Sequence, residues 1–153
     1  MSGAGDPHGD PGTLTDGDLA GLVHALADAV VIADTEGTIT FWNDAAERLF
    51  GWSADEAVGR PLDLIIPERQ RDRHWDGYRR VMATGRTEYG GRLLEVPALH
   101  RDGRRLSLAF TVTLLARPGS STPWAIAAVL RDDTERWLER RQLREQIAQL
   151  EAR

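Results

Sequence analysis

The run "HRDGRR", His100 to Arg105, constrains this chain more than any other. Its Asp102-Gly103 pair stands between two strand-like runs, "TEYGGRLLEVPALH" and "RRLSLAFTVTLLA". A tight hairpin turn needs a positive φ that glycine accepts freely, so this arrangement predicts a β-hairpin. A further apolar run, "PWAIAAVLRD", follows the loop "RPGSST" and adds another antiparallel strand. Upstream, the β-branched runs "AVVIAD" and "TITFW" flank "TEG", where Gly37 can supply a positive φ, and together they read as a second hairpin. Between the hairpins, Asn43 caps "DAAERLFG", and Ser53 with Glu56 forms a capping box for "ADEAVG". Helices this short are not stable alone in water and must lie against a sheet. The fold class is therefore α+β: a five-stranded antiparallel sheet with short helices on one face, an N-terminal helix and a coiled-coil-like C-terminal helix.

The two ends follow different physics. Residues 1–13 are rich in Gly, Pro and Asp with little to bury, which predicts a disordered tail. Thr15 then caps a short amphipathic helix that presents Leu19, Leu22 and Leu26 at helical spacing. Residues 14–132 form the domain. Residues 133–153 are dense in Glu, Arg and Gln, with Leu143, Ile147 and Leu150 at 4-3 spacing. That narrow seam predicts a signalling or dimerisation helix leaving the domain, and a homodimer through the terminal helices. The competing reading is a helix folded back on its own sheet.

With 153 residues there is room for one core and short extensions. The formal net charge of -5 lacks the basic footprint of a nucleic-acid binder. The absence of cysteine removes disulfides, thiolate metal sites and covalent attachment through sulfur. No apolar run approaches membrane-spanning length and no signal peptide is legible, so a soluble cytoplasmic protein is the expectation.

One histidine stands out. Pro67 fits the first turn of a helix and Gly85 fits just past its end, so "ERQRDRHWDGYRRVMAT" reads as one helix of about five turns. On a 3.6-residue period His74, Tyr78 and Val81 share a face, flanked by Trp75 and Met82. The imidazole points toward apolar company, where a histidine is either a packed core residue or a ligand. His8 reads as a solvated tail residue, His24 as a surface or helix-packing residue, and His100 as a solvated turn residue. No catalytic triad spacing, phosphate loop or metal-ligand cluster is present.

"DAVVIADTEGTITFWNDAAERLFGWSADEAVGR", "ALHRDGRRLSLAFTVTLL" and "LRDDTERWLERR" together resemble the PAS domain family, from about Leu19 to Arg141. The flavin-binding and coumarate-binding photoreceptors of that family require a cysteine, which this chain lacks. "IIPERQRDRHWDGY" resembles instead the haem-binding oxygen sensors of the FixL type, whose axial histidine stands on the helix ahead of the Asp-Gly hairpin. The resemblance implies haem b with His74 as the iron ligand and a diatomic gas, O2, CO or NO, at the open position. It implies a cavity made by Ile66, Tyr78 and Val81, with Leu64, Ile65 and Met82 in support, and a distal cover of Leu94, Phe110 and Val112. Arg80 matches a propionate-contacting arginine, with Arg79 and Arg92 as weaker candidates. The position of an oxygen-stabilising arginine in those sensors is held here by Leu94. Arg92, Tyr89 or Trp75 could substitute for that donor, and CO and NO depend less on it. A sensor would act through the C-terminal helix on a partner, without nucleic acid or membrane. The alternatives are a stand-alone haem enzyme acting on oxygen, peroxide or nitrogen oxides, and a cofactor-free dimerisation or metabolite-binding module. An effector elsewhere in a longer chain favours the sensor, and a chain ending here favours the enzyme.

Overall fold

A computed structural model describes residues 12–87 and 91–153. His8, Tyr89 and nearly all of the expected tail lie outside the described residues. The chain runs α1 (Asp16–Ala25), β1 (Ala29–Asp34), β2 (Ile39–Trp42), α2 (Asp44–Phe50), α3 (Ala54–Ala57), a 3₁₀ turn (Leu62–Ile65), α4 (Glu68–Thr84), β3 (Leu94–Leu99), β4 (Arg105–Ala116), β5 (Pro123–Asp132) and α5 (Thr134–Glu151). All strand pairs are antiparallel and the order across the sheet is β2-β1-β5-β4-β3. The two chain-adjacent hairpins therefore sit at opposite edges, joined through β5.

The punctuation works as the residues dictate. Gly37 adopts φ 82° in the β1–β2 turn and Gly103 adopts φ 90° in the β3–β4 turn. The latter turn has three residues beyond the His100 N–H to Arg104 carbonyl bond of 3.0 Å, a loop form that wants glycine in the left-handed region. Thr15 with Asp18 and Ser53 with Glu56 both close capping boxes. Gly51 ends α2 at φ 81°.

Asn43 does more than cap. Its Oδ1 accepts from Ala46 N–H at 3.0 Å and from Val30 N–H at 2.9 Å. Its Nδ2 donates to the carbonyls of Val23 at 2.9 Å and Asp28 at 3.1 Å. One buried side chain thus joins α1, β1 and α2.

Strand alternation puts Val31, Ala33, Trp42, Ala98, Leu106, Leu108 and Leu130 on the sheet face covered by α2, α3, the 3₁₀ turn and α4, and there the core forms around Phe50 and Trp42. The terminal helices lie elsewhere. His24 of α1 packs its ring on Phe41, with centroids 4.9 Å apart. The entry of α5 is bound to β4 by Asp133 N–H to the Ser107 carbonyl at 2.8 Å and by Ser107 N–H to Thr134 Oγ1 at 3.0 Å. Arg140 then bridges Glu95 of β3 at 2.9 Å and Asp133 at 3.0 Å. Beyond it Leu143, Ile147 and Leu150 are exposed, so the helix leaves the sheet instead of folding back on it.

Three expectations need correction. The strand read from Thr87 onward begins only at Leu94, and its first part, residues 88–90, lies outside the described residues. "LDLI" forms a 3₁₀ turn that the strand-and-helix reading passed over. His100 is not solvated: its side chain is 15 % exposed. Arg101 N–H bonds the Phe50 carbonyl at 2.8 Å, drawing the hairpin end onto α2. A Cβ on Gly51 would stand 2.7 Å from His100 Cε1, so the bare glycine makes the slot that takes the ring.

Candidate functional site

Helix α4 sets the histidine. Pro67 occupies the N-cap and Gly85 the C-cap at φ 66°, its N–H bonded to the Val81 carbonyl at 2.9 Å. Apolar and aromatic residues on one side of an otherwise arginine-rich helix turn that side inward. His74 meets Trp75 edge-on with ring centroids 4.9 Å apart, and lies 5.7 Å from the Tyr78 ring.

Both aromatic neighbours are tied down. The Tyr78 hydroxyl donates to the Asp34 carbonyl, at the end of β1. Trp75 Nε1 donates to Asp63 Oδ1 at 2.7 Å, in the 3₁₀ turn. The indole also turns an edge of its six-membered ring onto Gly37, where an added Cβ would come within 2.1 Å of Cη2 and Cζ3. The helix face carrying His74 is thereby attached to the β1–β2 turn on one side and to the 3₁₀ turn on the other.

Between α4 and the sheet is a cavity of about 130 Å³, lined by His74 and Tyr78 from the helix, by Leu62, Ile65 and Ile66 ahead of it, and by strand side chains of β1, β3, β4 and β5. Ala33, Ala98 and Ala128 line it where larger residues would fill the space. Among the described residues everything opposite His74 is apolar, and the Tyr78 hydroxyl is engaged with the Asp34 backbone. Burial holds the His74 ring below the usual histidine range, opposed by the weaker attraction of the Asp63 carboxylate. Its Nδ1 is buried and has no hydrogen-bond partner. Burial, with a smaller contribution from Asp34, pushes the Tyr78 phenol up, so that it stays a neutral donor. The arrangement is a neutral imidazole in an apolar cavity, which suits metal ligation by nitrogen. Among the described residues no three His, Asp or Glu side chains gather as a metal cluster, and a haem iron needs only one protein ligand of this kind.

The structure brings together His74, Ile66, Tyr78, Phe110 and Val112 on the cavity wall. Leu94 pairs with Phe110 across the β3–β4 ladder but does not line the cavity. Val81 is half-buried and also off the wall, while Met82 and Leu64 pack against the core. Arg80 is exposed and away from the lining, as is Arg92. Arg79 pairs with Asp76 on the surface at 3.2 Å.

Sequence reasoning did not find the β1 and β5 wall: Val31, Ala33, Ile126, Ala128 and Leu130. The signal was their period of two, hidden because "AVVIAD" and "AIAAVL" are apolar at nearly every position. Asp63 was missed as well, because nothing local marks a carboxylate that meets a residue twelve positions downstream.

Comparison with known proteins agrees with this architecture. The sensor protein FixL of Bradyrhizobium diazoefficiens is 33% identical over 94 residues, 61% of this chain and 19% of that protein. The oxygen sensor protein DosP of Escherichia coli is 26% identical over 141 residues, 88% of this chain and 17% of that protein. The chain spans less than a fifth of the length of either relative. Among solved structures, the PAS domain of a Colwellia psychrerythraea protein superposes with a TM-score of 0.66 at 22% identity, covering 78% of this chain and 97% of that one. The family model for the PAS fold matches residues 17–139, and the five-stranded antiparallel sheet with its helical cover accords with it: the chain belongs to the PAS family.

Proposed function

We propose that this PAS domain is a haem b-binding sensor of a diatomic gas or of redox state, with His74 as the axial ligand. The observation that carries the reading is His74 itself, an imidazole on an apolar cavity wall whose buried Nδ1 has no partner. Resemblance to the haem-binding oxygen sensors supports it, as does a relative named as an oxygen sensor. When bound, haem supplies an iron whose open position takes the gas. His74 provides a neutral nitrogen; Ile65, Ile66, Phe110 and Val112 exclude water; Tyr78 holds the helix to the β1–β2 turn. Arg80, Arg79 and Arg92 are the candidates for the propionates, all of them on the surface.

A volume of about 130 Å³ is close to that of an engineered cavity, ~150 Å³, that takes benzene. A macrocycle needs more, so part of the wall must move. Edge strand β3 is bonded to a single neighbour, β4, and carries Val96, Pro97 and Ala98 of the wall. Of the four strands that line the cavity it alone has a single neighbour. The same volume favours a second reading, a cofactor-free module for a small apolar metabolite. Output runs through α5 to a second copy of the chain or to a signalling partner, by way of the exposed Leu143, Ile147 and Leu150. Among the described residues no helix is long and apolar enough to cross a membrane.

The visible spectrum of protein expressed with haem supplied, before and after reduction and CO addition, tests the reading. A sharp Soret band that shifts with CO is expected, whereas colourless protein returns the cavity to the metabolite reading. Because no hydrogen-bond donor from the described residues faces His74 across the cavity, CO and NO are expected to bind more readily than O2. Leu94→Arg then supplies a charged donor beside Phe110. A hydrogen bond to a charged group contributes roughly 1.5–3 kcal/mol, so O2 affinity is expected to rise by about 10-fold or more, with CO affinity nearly constant. Equal changes for the two gases would show that the new arginine does not reach the bound ligand.

A further inference from the structure

A ring nitrogen that binds metal depends on what the other ring nitrogen does, and ligating histidines almost always donate their second N–H to a carboxylate, carbonyl or water. His74 has no such partner in place: its Nδ1 is buried and unpaired. A carboxylate is nevertheless at hand. Asp63 sits in the 3₁₀ turn between Leu62 and Ile65, two residues of the cavity wall, and its charge acts on the His74 ring. Oδ1 accepts the Trp75 indole N–H at 2.7 Å, and among the described residues none donates a hydrogen bond to Oδ2.

Trp75 in turn has no freedom. Its indole is wedged on Gly37, a position with φ 82° where any Cβ would overlap the ring. It meets the histidine ring edge-on. Gly37, Trp75, Asp63 and His74 therefore form one chain of contacts from the β1–β2 turn to the cavity. The seat on Gly37 orients the indole, and the indole holds Asp63 by one carboxylate oxygen.

We propose that Asp63 is the positioning residue for His74, held in place by Trp75: its second oxygen accepts the Nδ1 proton, directly or through one water, and so presents Nε2 to the metal. The proposal rests on the haem reading above. Asp63 itself lies outside the stretches that carry the family resemblance, and the proposal assigns a role to the indole–carboxylate pair that packing alone does not require.

The test uses the full chain expressed with haem supplied, as wild type, His74→Ala, Asp63→Asn, Asp63→Glu and Trp75→Phe. Haem dissociation and the iron–histidine stretching band of the ferrous protein are read side by side with thermal unfolding. Asp63→Asn keeps a carbonyl oxygen for the indole but has no charge for the imidazole, so its fold should survive. Loss of such an outer partner typically costs 10–100-fold in metal affinity, and a loss of about that size is expected, together with a lower iron–histidine frequency. Asp63→Glu should restore part of both. Trp75→Phe, which keeps the ring but frees the carboxylate, should broaden or lower the same band. If His74→Ala releases haem while Asp63→Asn and Trp75→Phe leave affinity and frequency as in wild type, the positioning role is overturned and the haem reading stands. Weaker affinity with an unshifted frequency marks a purely structural effect and also overturns it. Wild-type protein that takes up no haem overturns both.

Discussion

Replacing His74 by alanine is expected to remove haem binding while leaving the fold intact. The affinity loss should exceed about 100-fold, beyond the range that outer-shell partners command, because the bond to the metal itself goes. Stability should hardly fall. The buried Nδ1 makes no hydrogen bond, and a buried polar atom without a partner is a cost that the substitution removes, offsetting the packing lost around the ring. A histidine serving only as core filler would behave in the opposite way: His74→Ala would lower the urea midpoint by the equivalent of about 2 kcal/mol or more and leave any visible spectrum unchanged. Haem titration and urea unfolding of the same two proteins separate these outcomes, and a stable, fully haem-binding alanine variant would sink the assignment.

Asn43→Ala is expected to be among the most destabilising single changes in the chain, at about 4 kcal/mol. The side chain is fully buried and takes four hydrogen bonds, two accepted and two donated. Removing it orphans the N–H groups of Val30 and Ala46, both buried, at about 1–3 kcal/mol each, and frees two carbonyls that hold the end of α1 against β1. Against a total stability of roughly 5–15 kcal/mol that is a large fraction. Asn43→Ser isolates the capping share, since a serine hydroxyl can cap α2 but is too short to reach the Val23 and Asp28 carbonyls. It should recover about 1 kcal/mol and leave the N-terminal helix loosened in hydrogen exchange. A loss below about 1 kcal/mol for Asn43→Ala in urea unfolding would show that the network is not cooperative.

Both results turn on residues that were legible in the sequence for a smaller reason than the one they serve. Asn43 announced itself as a cap three residues before Ala46, because caps are local. Its bonds to Val23, Asp28 and Val30 cross between elements and leave no local trace. Gly37 read as a turn glycine, correctly, yet its contact with the Trp75 ring is decided 38 residues downstream.

What the sequence by itself determined is what local chemistry encodes: the Asp-Gly hairpin, the capping boxes, the run of α4 between Pro67 and Gly85, and the inward face that carries His74 and Tyr78. These follow from φ preferences, orphan backbone donors and a 3.6-residue period, all readable over a few positions. Only the tertiary structure decided the cavity. In β1 and β5 nearly every residue is apolar, so the inward set of Val31, Ala33, Ile126 and Ala128 is chosen by strand register. The space exists because three alanines from three different strands converge opposite His74. The burial of His100 against Gly51 and the meeting of Asp63 with Trp75 were settled in the same way, by a chain that returns to itself at distances no local pattern records.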